Sequence, residues 1–211
     1  MQNWNSYSSN KATYGGVVPI WVEQPDRSES GGLLANTNLV KGEIISAGSP
    51  VAFDVATKLA KILKIFKVTA VSEVDTDTVI TVSQVGNLPK LNAGDVVMVI
   101  PSAIDGTGLA VATGAVDVSV EGAATFTVAT AAIDAVVVGA YLALAASAGA
   151  AKALYCQPTS LTIDDTYVGD QNSVGIAVGD KYVYQNTIPW LPDVIANNIK
   201  MLEFAKFNTG A

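Results

Sequence analysis

The chain has 211 residues, half of them hydrophobic and 15% charged, with a formal net charge of −7. That length and apolar content suffice for one large domain or two small ones and exclude disorder throughout. The acidic balance repels polyanions, so nucleic acid is not an expected partner; the lack of histidine removes the commonest general base and zinc ligand, and the single Cys156 excludes an intramolecular disulfide.

Residues 1–40 read as an N-terminal arm and loop. The opening MQNWNSYSSNK has no apolar run and no basic leader, which predicts no signal peptide. Trp4, Tyr7 and Tyr14, with Trp21 in the strand-like run VVPIWV, are aromatic for a polar arm. Aromatic side chains supply contact area at low entropic cost, so Trp4, Tyr7, Tyr14 and Trp21 are the candidate partner interface. Two readings stand: the arm docks on a neighbouring subunit, or it folds back on its own domain. The segment EQPDRSESGG (23–32) is a loop by composition.

Residues 41–190 read as a β-rich body. GEIISAGSPVAFD predicts strand, turn, strand. AFDVATKLAKILKIFKV (52–68) carries Lys58, Lys61, Lys64 and Lys67 at every third position. On an α-helix such lysines drift about 60° per step, smearing charge around the surface rather than segregating it. The expectation is an edge strand with its lysines outward, where they block sheet-to-sheet association. FKVTAVSEVDTDTVITVSQVG predicts a strand to Val74, a turn at Asp75-Thr76-Asp77, and a second strand from Val79 to Val85. VVMVIP (96–101) is a continuous apolar strand, and VDVSVEG places Val116, Val118 and Val120 on one face. The step from TVITV to GDVVMVI returns as TFTVAT to GAYLALA, with like spacing from Thr81 to Gly94 and from Thr127 to Gly139. That spacing allows two similar β units, 41–104 and 105–155. The uncharged run Ala135–Ala151 sits at the lower edge of membrane-spanning length. Its Ala, Gly and Ser content favours a buried strand followed by a turn, so no membrane partner is expected.

IAV-GD-KYVY (176–184) predicts a hairpin with a type II′ turn at Gly179-Asp180. After the prolines of NTIPWLPD, with Trp190 as an anchor, residues 191–211 form a C-terminal helix and tail. Ile195, Ile199 and Leu202 repeat at helical spacing, and Pro192 and Asp193 suit a helix start. The predicted class is mainly β: an antiparallel β-barrel or sandwich with an extended N-terminal arm and a short C-terminal helix.

No nucleophile elbow, phosphate-binding loop or dinucleotide fingerprint occurs, so no enzyme activity and no cofactor are expected. Glu73, Asp75 and Asp77 read as a solvated turn or, alternatively, a calcium site; Asp164-Asp165 with Asp170 carries the same pair of readings.

YGGVVPIWVEQ, GEIISAGSPVAFD, KVTAVSEVDTDTVITV, GDVVMVIPSA and YVYQNTIPWLPDVIANNIKMLEF together resemble the head fiber and capsid decoration proteins of tailed bacteriophages, above all those of phages infecting gut Bacteroides-type hosts. The Ala-rich region 123–153 is matched least. The resemblance implies a β-rich, usually trimeric virion protein bound through the major capsid protein to the exterior of an icosahedral head, with no catalytic residues. The alternative is a surface-exposed β-domain binding host glycan or protein, an adhesin-like module.

Overall fold

A computed structural model describes residues 31–35, 37–85, 88–169, 173–178 and 188–199, together with the backbone of strands at Asp26–Arg27, Lys181–Tyr184 and Leu202–Ala205. The chain is mainly β with antiparallel sheets and a short helix near its C-terminus, the class the sequence predicts. Contacts divide it into two units, residues 1–62 with 158–211 and residues 63–157.

The first unit contains β1 (Asp26–Arg27), β2 (Gly32–Leu34), β3 (Ile44–Ile45), β4 (Pro50–Asp54) and β5 (Leu59–Ile62). The second contains β6 (Ile65–Val74), β7 (Asp77–Ser83), β8 (Val96–Val99), β9 (Gly108–Ala112), β10 (Val116–Asp117), β11 (Ala123–Ala129), β12 (Tyr141–Leu144) and β13 (Gly149–Lys152). The chain then returns to the first unit as β14 (Ser160–Leu161), β15 (Thr166–Tyr167), β16 (Ser173–Val174), β17 (Ala177–Val178), β18 (Lys181–Tyr184), helix α1 (Asp193–Ala196) and β19 (Leu202–Ala205).

In the first unit a five-stranded sheet runs β14-β4-β5-β2-β16. Its core gathers Ile45, Val51, Ala60, Ile62, Val168, Val174 and Ile176, with Leu34, Leu39 and Phe53 packed at the margin. The polar turn between β3 and β4 is buried with its bonds satisfied: Thr162 Oγ1 accepts from Ser49 N and donates to Ser46 O, and Asp165 Oδ1 accepts from Ala47 N at 2.7 Å.

Several expectations need correction here. β5 is a central strand, flanked by β4 and β2, not an edge. Of its lysines, Lys61 is exposed, but Lys64 just beyond it is 1% exposed and donates from Nζ to Lys90 O. Spacing by three cannot keep every lysine outward on a strand, because successive side chains change face and an odd spacing changes it too. The runs of the expected hairpin at Gly179-Asp180 are strands, but β17 pairs with β1 and β18 runs parallel to β19; the turn residues lie outside the described set. The C-terminal helix covers only Asp193–Ala196, and Leu202–Ala205 is a strand. Asn197 and Asn198, weak helix formers, follow its last residue.

The second unit has an internal exchange symmetry. Its sheet runs β10-β11-β7-β6-β12-β8-β9-β13, and β9 and β10 are consecutive stretches of one chain segment, so the ring of strands closes. Advancing one partner by 45 residues and moving the other back by 45 turns the β6–β12 ladder into the β9–β8 ladder. Lys67↔Tyr141, Phe66↔Leu142 and Ile65↔Ala143 become Ala112↔Val96, Val111↔Val97 and Ala110↔Met98. Main-chain bonds outside the ladders obey the same exchange. Val68 N donates to Ala140 O and Gly139 N to Val68 O; correspondingly, Thr113 N donates to Asp95 O and Gly94 N to Thr113 O. In β7 and β11 the offset grows by one, and Ile80 pairs directly with its own equivalent, Phe126. Met98 likewise pairs directly with its equivalent, Ala143. A pseudo-two-fold axis therefore passes between Ile80 and Phe126 and between Met98 and Ala143, all four buried. Thr81 with Thr127 and Gly94 with Gly139, the spacings noted in the sequence, are equivalent positions; both glycines have φ near +88° (+87° and +89°). β13 lies outside the exchange, on the edge of β9.

The membrane-length run resolves into a loop, then β12, then β13: Leu142 to Ala145 are buried, while Val137 and Val138 before them are exposed. Among the described residues no helix is long and apolar enough to cross a membrane.

Candidate interaction surface

Trp4, Tyr7, Tyr14 and Trp21 lie outside the described residues. Among the described residues, exposed apolar side chains occur in loops, as at Val40, Val137 and Val138, and also on sheet rows and hairpin ends. In the first unit Leu33 of β2 and Leu59 of β5 are register partners, 55% and 41% exposed, so they lie side by side on one face of the sheet. The turn from β4 to β5 carries the exposed Val55, and its shape is set by Asp54, whose Oδ1 accepts from Ala56 N at 2.9 Å and Thr57 N at 3.3 Å. The Thr57 hydroxyl and these two N–H groups hold the Asp54 carboxyl below the ordinary carboxylate value.

In the second unit the two equivalent hairpin ends differ in chemistry. The β6–β7 end carries Glu73, Val74, Asp75, Thr76 and Asp77, all exposed, with Asp75 at φ +55°. This is the solvated turn of the sequence reading. The described part of the other acidic loop is structural in one respect, since Asp165 holds the Ala47 N–H. Among the described residues no three acidic or sulfur ligands converge as a metal site. The β10–β11 end carries Val118, Ser119, Val120, Glu121 and Gly122. The strand reading of VDVSVEG is shortened to Val116–Asp117; beyond it Asp117 Oδ1 accepts from Ser119 N at 2.9 Å and turns the chain. The Ser119 backbone and hydroxyl hold the Asp117 carboxyl below its ordinary value. Val118 and Val120 remain exposed, 60% and 65%. Val85, two residues past β7, is also exposed and sits against this turn: a Cβ on Gly122 would lie 3.1 Å from Val85 Cγ2. Sequence alternation identified these valines as one face of a strand; what it missed is that they lie past the strand's end.

The architecture defines a mainly antiparallel β protein, with parallel pairs at β2–β5 and β18–β19, whose second unit closes as a ring of paired strands about a pseudo-two-fold axis. No protein-family profile, curated protein or solved structure matches the chain.

Proposed function

We propose that this chain is a structural virion protein that binds the major capsid protein on the exterior of a phage head, as a head fiber or decoration protein, and acts by adhesion. The reading rests on the sequence resemblance. The structural observation that supports it is the placement of exposed apolar side chains on rigid β scaffolding, Leu33 beside Leu59 on paired strands and Val118 with Val120 on a capped turn. Contiguous exposed apolar patches mark contact surfaces, and these side chains would contribute to one on the assembled shell. Each contact contributes roughly 25 cal/mol per Å² of apolar area removed from water, and repetition over a lattice multiplies it. The aromatic arm adds Trp4, Tyr7, Tyr14 and Trp21 as the main anchor, and a homotrimer is the expected assembly.

The test is cosedimentation of the purified chain with expanded shells of its own phage assembled without it. Binding by the full chain is expected, and deletion of residues 1–16 should abolish it while leaving the melting temperature of the body unchanged. A full-length chain that stays in the supernatant sinks the reading.

A further inference from the structure

The pseudo-two-fold in the second unit supplies an internal control for its own surface. Counted 45 residues on from the ladder that leads into each turn, Val118 and Val120 stand against Glu73 and Asp75; the turns themselves differ, since Glu73 and Val74 are still paired with Thr78 and Asp77 while β10 ends at Asp117. The flanking ladders are equivalent: Val71↔Ile80 and Ser72↔Val79 correspond to Val116↔Phe126 and Asp117↔Thr125. The matching end of the unit carries charged side chains in water, so a hairpin end that follows this ladder does not require apolar residues. Valine there, 60% and 65% exposed, adds nothing to the core and leaves apolar surface in water.

We infer that the β10–β11 end, formed by Val118 and Val120 with Val85 beside them, is a docking surface for an apolar protein patch rimmed by lysine or arginine. Its own rim sets the partner's charge. Asp117 and Glu121 flank the valines, both exposed and both acidic. A second copy presenting the same end would bring these carboxylates against their like, which disfavours self-association through it. A basic-rimmed apolar surface on a different protein meets both requirements. This deepens the capsid-binding proposal and rests on it, naming a contact made by the body of the chain rather than the arm.

The test transplants one end's chemistry onto the other. The variant V118E/V120D gives the second end the residues of the first; E73V makes the reverse change while leaving Asp75 and its φ of +55° in place. Both are measured, with wild type, for cosedimentation with shells lacking this chain and for thermal unfolding. The expected result is an unchanged melting temperature for V118E/V120D with apparent affinity reduced about tenfold or more, and undiminished binding by E73V. The milder V118T/V120T keeps side-chain shape and should give an intermediate loss, so the comparison survives if the charged variant folds poorly. Equal sedimentation of wild type and all Val118/Val120 variants overturns this inference and leaves the capsid reading standing. Wild type that does not sediment overturns both.

Discussion

Gly48 shows how tightly one position can be fixed. Its φ is +80°, and a Cβ there would lie 2.5 Å from Ile188 Cγ2 and 2.8 Å from Ile188 Cβ. Backbone strain and overlap act together, so Gly48→Ala is expected to destabilise by about 2–4 kcal/mol in urea unfolding. Gly94 and Gly139 have the same backbone sign with open space around them. Gly94→Ala and Gly139→Ala should each cost about 1–2 kcal/mol, and nearly the same amount, because the pseudo-two-fold gives them one environment. A large difference between the two would contradict that equivalence. Asp117 tests the turn at the valine end. Its folded pKa is depressed, so the stabilisation it brings is present above its unfolded value and is lost as pH falls through the folded one. Ser119→Ala removes the hydroxyl donor, and carbon-detected NMR titration should then show the Asp117 pKa moved up toward the ordinary carboxylate value. An unmoved titration curve would remove the hydroxyl from the account. The glycine in SAGSP was legible as a turn; its burial under Ile188, 140 residues on, was not, because no local pattern encodes a distant neighbour.

Among elements, the passage from β5 to β6 is where local pattern and tertiary structure part. The expectation of outward lysines put Lys64 with Lys61, although a spacing of three changes face on a strand; Leu63 to Phe66 are all buried. Lys64 reaches a backbone acceptor, Lys90 O at 3.0 Å, which offsets the cost of burying an ammonium group. Lys64→Ala should lower stability by about 2–4 kcal/mol through the void and the lost bond together, whereas Lys61→Ala, on an exposed position, should change it by less than about 0.5 kcal/mol. Equal effects would show that the burial of Lys64 has no energetic weight. The β6–β7 hairpin was legible, with β6 ending at Val74 as expected and β7 running Asp77–Ser83 rather than Val79 to Val85, because its alternation and its Asp-Thr turn are both local signals. The pairings of β17 and β18 were not: Gly179-Asp180 fits a tight turn, but the strands beside it take partners from Asp26–Arg27 and Leu202–Ala205, and sequence neighbours carry no trace of that choice.

At the scale of the whole molecule, the repeat was legible through two pairs of residues, Thr81 with Thr127 and Gly94 with Gly139, because threonine in the central ladder and glycine at φ near +88° answer structural needs that recur. The rest of the repeat is masked by side-chain divergence: Glu73 against Val118, Lys64 against Leu109. If the chain binds the assembled shell in preference to free capsid subunits, adding it should raise the disruption temperature of shells and level off as sites fill; no shift at saturating chain would count against the adhesive role. The axis through Met98↔Ala143 has a further consequence. In a true homodimer of one half, a residue on the axis meets its own image, so the centre could hold only Met with Met or Ala with Ala. Joining the halves in one polypeptide lifts that restriction, and a long side chain opposite a short one can share the available volume. Transposing the two, in M98A/A143M, should therefore be far milder than either substitution alone: about 2–4 kcal/mol for the void left by M98A, and a remainder under about 1.5 kcal/mol once the volume is restored from the other side.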